Sequence, residues 1–273
     1  TAGVAENNRR LITTGDLAEG LHTIPLTRDN NKAQIIKRME YPHTGPTNRC
    51  VPAALRIQVM NISLPKGRIA YIGGGNDHTD FWLRKLGVQI DSLNESAVQS
   101  ADFKAYDSIL IGIFAFRTNS ALQTRLKDLH AWVLDGGNLV TLYHRPWDNW
   151  DPQTTSLAYP EIGKPSLRWR VTDENAEVRY LEPDHTLLNT PNKITEDDWM
   201  GWHKERGLYF ASKWDDAYIP LLEMGDANEP PLQSALRSGT FGKGRHTHTS
   251  LILHRSEERR VGKECRSRWS PYP

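Results

Sequence analysis

The spacing of apolar positions changes along the chain, and each change marks a different kind of structure. Residues 1–32 are polar and irregular, with turn clusters at Asn7-Asn8 and Asp29-Asn30-Asn31-Lys32. Residues 33–41 then read as a strand. Residues 54–62 read as another, alternating at Leu55, Ile57 and Val59. Pro42, Pro46 and Pro52 punctuate the link between them, and Pro65-Lys66-Gly67 forms a linker. No helical period occurs in this part, so residues 1–65 are expected to be the C-terminal remnant of an all-β sandwich domain, too small to bury a full core.

Beyond the linker the period alternates between two and 3.6. Residues 68–72 form a short apolar strand, and Gly73-Gly74-Gly75 turns the chain. Residues 77–86 suit a helix with Phe81, Trp82 and Leu86, which Gly87 ends. Strands follow at 88–93 and at 108–113, where Ile-Leu-Ile-Gly-Ile is nearly continuous, as in a strand covered on both faces. Asn119 or Ser120 caps a helix running to Leu134, with Leu122, Leu126, Leu129, Trp132 and Val133 on its inner face. Asp135-Gly136-Gly137 stops it, and 138–143 is the next strand. Such alternation predicts an α/β fold, a flavodoxin-like open parallel sheet with right-handed crossovers. Residues 144–164 form a long loop rich in Trp and Pro. Further strands are expected at 169–172, 177–181, 218–224 and 247–253.

Composition changes the picture at one end. From Arg255 the pattern shifts abruptly, and residues 255–273 resemble the in-frame translation of a sequencing adapter. That tail holds six of the 34 basic and three of the 33 acidic residues, so the rest carries net charge −2 rather than +1. Neither value gives a nucleic-acid footprint, and no apolar run is long enough for a membrane span. Without Cys265, Cys50 is the sole cysteine, which excludes an internal disulfide and a cysteine-rich zinc site. Cys50 reads as a small buried hydrophobe. The chain starts with Thr and is expected to be a piece of a longer protein, which leaves its compartment open.

Four groups carry chemistry. Trp147, Asp148, Asn149, Trp150 and Asp151 follow a parallel strand at the sheet edge where open α/β sheets bind ligands. Trp rings stack on the C–H faces of sugars, and Asp or Asn takes the hydroxyls. His144, Trp202 and His203 extend this candidate glycan surface, with Trp199 nearby. Gly73, Gly74, Gly75 and Asn76 form a weaker candidate, a turn whose amides can hold an anion. His246 and His248 share one strand face, expected to be a solvent-facing stripe on an edge strand rather than part of a metal site. Asp77-His78-Thr79-Asp80 reads as a surface or loop-facing cluster.

An ordered series of pieces carries a family resemblance: Tyr71-Ile-Gly-Gly-Gly-Asn-Asp77, Tyr106-Asp-Ser-Ile-Leu-Ile-Gly-Ile113, Asp135-Gly-Gly-Asn-Leu-Val140, Asp184-His-Thr-Leu-Leu-Asn-Thr-Pro-Asn-Lys-Ile194, Trp202-His-Lys-Glu-Arg-Gly-Leu-Tyr209 and Gly242-Lys-Gly244. Together they resemble the C-terminal, class I glutamine amidotransferase-like region of bacterial PIG-L (LmbE-type) deacetylases, over about residues 34–254. The resemblance implies a domain at 66–254 lacking its last helix. It also implies a zinc-dependent N-acetylglucosaminyl-type deacetylase domain upstream, as partner in the same chain. The zinc belongs to that domain, and no cofactor is expected here. An amidotransferase needs Cys on a strained strand-to-helix elbow, with an activated His. The elbow is expected after strand 138–143, where Tyr143-His144-Arg145-Pro146 offers no nucleophile. The expected role is therefore accessory and non-catalytic, either glycan positioning or domain bracing. A stand-alone trehalose-utilisation-like or amidotransferase-like hydrolase, using His and Asp residues, and a structural interaction module are the alternatives.

Overall fold

The computed structural model describes residues 3–4, 10–11, 17–28, 30–41, 43–148, 157–202 and 204–253. Asn149, Trp150, Asp151, His203 and the adapter-like stretch lie outside them. The chain divides into two compact units, Thr1–Ile62 and Ser63–Pro273.

The first unit is built from antiparallel ribbons. Its main strands are β1 (Gly20–Pro25), β2 (Gln34–Tyr41), β3 (Thr44–Pro52) and β4 (Ala54–Val59). β1 pairs with β4 and β2 with β3. Two of these strands differ from expectation. β1 lies in the stretch read as irregular, and β3 contains Pro46 and Pro52, two of the prolines read as a link. Pro46 is tolerated because the β2–β3 register shifts between Met39↔Thr47 and Tyr41↔Thr44, and a missing N–H does least harm at such a bulge. Cys50 pairs opposite Ile36 and is exposed, not buried as expected. Ala53 is the only buried residue among those described in this unit.

The second unit is organised by one eight-stranded sheet. Its strands are β5 (Ile69–Ile72), β6 (Ile90–Ser92), β7 (Ser108–Ile111), β8 (Asn138–Thr141), β9 (Val178–Tyr180), β10 (Tyr218–Met224), β11 (Leu232–Phe241) and β12 (Gly244–Thr249). They lie in the order β6-β5-β7-β8-β12-β11-β10-β9. The first five run parallel. The last three are antiparallel. The expected flavodoxin-like open parallel sheet is therefore incorrect: the sheet is mixed. The cause is local. β11 was not expected at all, and only Gly242 and Lys243 separate it from β12, a connection that joins antiparallel neighbours only.

In the parallel half the strands alternate between two cores, as strands covered on both faces must. Ala70, Ile72, Ile109, Ile111 and Leu139 face one core, under helices α2 (Glu95–Ser100), α4 (Ser120–Thr124) and α5 (Leu126–Leu134). Tyr71 and Leu110 face the other core, where Leu83 of α1 (Thr79–Lys85) packs. A short α3 (Ala115–Thr118) follows β7. The single helix expected over 120–134 breaks at Arg125. The Arg125 guanidinium there donates to the carbonyls of Val98, Gln99 and Ala101 at the end of α2, at 2.7–3.0 Å. The antiparallel half has its own core around Phe210, Leu221, Leu222, Ala235 and Trp202. Among the described residues, no helix is long and apolar enough to cross a membrane.

Candidate functional site

The parallel strands β5, β7 and β8 deliver three segments to one sheet edge. After β5, the Gly73–Asn76 turn packs directly on α3; a Cβ at Gly74 would lie 2.1 Å from Thr118 Oγ1. The Asn76 amide donates to the Gly74 and Ile113 carbonyls at 3.1 and 3.2 Å. Asp77 is buried and accepts from the Tyr71 hydroxyl (2.7 Å), the Thr79 amide (3.1 Å) and the Ile113 amide (2.8 Å). Asp77 and Thr79 are thus interior groups rather than the surface cluster expected, while His78 is exposed.

After β7, the chain enters α3 through Phe114, whose φ of 57° and ψ of 16° are left-handed. For a bulky side chain this backbone is strained. Phe114 makes a strained strand-to-helix turn one strand before the position at which the elbow is expected. Its side chain is a phenyl ring, packed edge-on against Tyr143 at 5.5 Å and Tyr209 at 6.0 Å. The Arg145 guanidinium covers the ring, 4.0 Å from its centroid.

After β8 comes the candidate glycan loop. Asp148 is fully buried and clamps Arg145. It accepts from Arg145 Nε and Nη2 at 2.7–3.0 Å and from the Arg145 backbone amide at 2.8 Å. Arg117 approaches the same carboxylate at 3.8 Å. Trp147 is 55% exposed, its ring 5.6 Å from Arg145 Cζ. His144 is buried. Its Nδ1 donates to the Leu142 carbonyl at 2.8 Å, and its Nε2 accepts from the Phe116 amide at 3.4 Å. Burial lowers its pKa to about 4, which leaves it neutral at pH 7. The structure therefore brings Gly73–Asn76, His144, Trp147 and Asp148 to one edge, where Gly75, Asn76 and Trp147 are exposed and His144 and Asp148 are buried. Trp202 packs elsewhere, with Trp199 and Arg206 in the antiparallel half, its Nε1 donating to the Glu205 carbonyl at 3.1 Å.

A second polar group lies inside the molecule. β12 sits between β8 and β11, so His246 and His248 are fully buried on a central strand, not exposed on an edge strand. Thr141 hydrogen-bonds both, at 2.9 and 2.8 Å. His246 Nδ1 also bonds the Tyr218 hydroxyl, which donates to the Ala158 carbonyl at 2.8 Å. Tyr159 stands edge-on to His246 at 5.1 Å and bonds His130 at 2.6 Å. Burial lowers His130 to about 4 and drives His246 and His248 well below the ordinary histidine value. Among the described residues, no group of three or more His, Cys, Asp or Glu is placed to hold a metal. Sequence reasoning missed Phe114, Tyr159, Tyr218 and Arg237 of β11. One signal for β11 existed, since Gly242-Lys243 between two β-rich runs reads as a hairpin turn.

Fold and site together define an α/β protein with a mixed sheet, an aromatic strand-to-helix turn and a buried histidine layer. No protein-family model matches the sequence, and no curated protein does. Among solved structures, a cytoplasmic protein of Salmonella typhimurium is 17% identical over 80% of this chain and 83% of its own, with a TM-score of 0.41. A β-galactosidase of Rahnella sp. R3 is 14% identical over 71% of this chain and 30% of its own, at 0.40. An exo-β-1,4-mannosidase of an Opitutaceae bacterium is 14% identical over 69% and 32%, at 0.38. Similarity at this level assigns neither family nor function.

Proposed function

We propose that this chain is an accessory, non-catalytic region of a PIG-L-type N-acetylglucosaminyl deacetylase, and that it holds an amino-sugar glycan at the C-terminal edge of its parallel strands. The carrying observation is the turn at Phe114. A strained strand-to-helix turn, the kind of position where a covalent hydrolase carries its nucleophile, holds Phe114 here, roofed by an Arg145 that Asp148 locks in place. That roof fixes Arg145 beside the exposed Trp147 ring, which offers one flat face for a sugar and donors at its side. Asp148 positions this surface rather than binding glycan, since its carboxylate is enclosed and already accepts from Arg145. In this reading the zinc and the deacetylation belong to the upstream domain that the sequence resemblance implies. A hydrolase working through His144 would need an accessible base, and His144 is turned inward onto Leu142 and Phe116.

Titration calorimetry of the full chain with chito-oligosaccharides tests the proposal. Binding is expected, and Trp147→Ala should weaken it about fivefold, the weight of roughly 1 kcal/mol of ring stacking. Equal affinity of wild type and variant would overturn the glycan surface. Glutamine or ester hydrolysis that disappears in His144→Ala would overturn the non-catalytic role.

A further inference from the structure

Arg237 of β11 is the largest fully buried side chain among the described residues. Its Nε, Nη1 and Nη2 have no hydrogen-bond partner among those residues. A guanidinium carries five N–H donors and a full charge, and buried groups of this kind are almost always paired. Cross-strand register places Arg237 opposite His248 on β12 and Pro220 on β10, so it leaves the sheet on the face that carries His248. The Trp214 ring lies 5.5 Å from its Cζ. Its titratable surroundings are neutral. His246 and His248 are held uncharged by burial and by the Arg237 charge itself, and burial raises Tyr218 and Tyr159 far above the physiological range. Asp215, beside Trp214, is exposed and accepts from the Ala217 amide. Burial pushes the guanidinium down to about 9, so it remains charged at neutral pH.

We propose that Arg237 is the receptor for a small monocarboxylate, gripped by the guanidinium fork against Trp214 in the polar layer above β10, β11 and β12. The site is separate from the Trp147 surface and goes beyond the glycan reading. Charge selects the ligand class. One cation among neutral groups is balanced by one negative charge, whereas a phosphate dianion would leave an uncompensated charge in the interior. Geometry selects the head group, because two parallel N–H donors match the two oxygens of a carboxylate. Water could satisfy the N–H groups but not the charge. Trp214 covers the guanidinium and is itself only half-buried, so displacement of this ring gives a ligand its way in.

The carboxylate has two possible sources, a free short-chain acid or the uronate group of a saccharide. The full chain, labelled with 15N, is titrated with sodium acetate or sodium glucuronate and compared with sodium chloride at equal ionic strength. The arginine Nε–H signal absent from Arg237→Lys should move saturably with a carboxylate and stay still with chloride. Movement with acetate identifies a free acid, and movement with glucuronate alone identifies a uronate. Arg237→Lys should bind at least about tenfold more weakly by calorimetry, since lysine has no fork. If that variant does not fold, through-bond assignment of Arg237 in the wild type replaces it and the titration alone decides. An Arg237 signal that ignores both carboxylates, or follows chloride equally, overturns the proposal.

Discussion

The Tyr218 hydroxyl has one proton, and the Ala158 carbonyl takes it. Tyr218 must therefore accept from His246 Nδ1, so neutral His246 carries its proton there and offers Nε2 to the Thr141 hydroxyl. Thr141, having donated, accepts from His248 Nδ1. His144 donates from Nδ1 as well. Long-range 1H–15N spectra should then show His144, His246 and His248 all protonated at Nδ1 near pH 7, and an Nε2–H pattern for His246 would break the chain of inference. The same scale explains Asp148. Removing a fully buried carboxylate strands Arg145 over Phe114, though the partial exposure of Arg145 limits the loss. Asp148→Ala should lower the unfolding free energy by about 2 kcal/mol in urea titrations, with Trp147→Ala near zero. Sequence showed which residue types cluster after β8. It did not show that Asp148 faces inward, because two neighbouring loop residues have no period to separate them.

Among elements, strand–helix alternation was legible from 68 to 143 because β5 and β7 carry apolar residues on both faces and Gly73, Gly87, Asn94, Asn119 and Gly136 mark turns. The antiparallel half was not legible. β11 reads Leu-Gln-Ser-Ala-Leu-Arg-Ser-Gly-Thr-Phe, and its buried face includes Ser234 and Ser238, which bond to Ala211 and Thr247 instead of packing apolar surface. Tertiary hydrogen bonds there override the hydrophobic pattern that sequence reading relies on. The start of β12 carries a sharper constraint. A Cβ at Gly244 would lie 2.0 Å from the Val133 carbonyl and 2.4 Å from that of Gly137, both backbone atoms that cannot turn aside. Gly244→Ala should cost at least about 3 kcal/mol or prevent folding. Gly45→Ala in β3, with nothing within 4 Å of the new carbon, should change the melting temperature little.

For the molecule as a whole, the buried histidines set an acid limit. His130 and His144 titrate near 4 when folded and near 6.5 when unfolded, so between those values the unfolded chain binds more protons. Their stabilising contribution is complete above about pH 6.5. It is lost as pH falls toward 4, by up to roughly 3 kcal/mol per histidine. Urea midpoints should fall steeply from pH 6.5 to 4.5, and His130→Gln should flatten that slope; a flat wild-type profile would show that these rings charge without cost. Among the described residues, β12 is the last strand of the sheet in sequence, and it lies at the middle, between β8 and β11. On the ribosome, the parallel strands and the antiparallel ribbon therefore emerge as two unfinished sheets, each with an open edge, and stay so until residues 244–249 leave the exit tunnel. Nascent chains arrested before that point should need a chaperone, and those released after it should not.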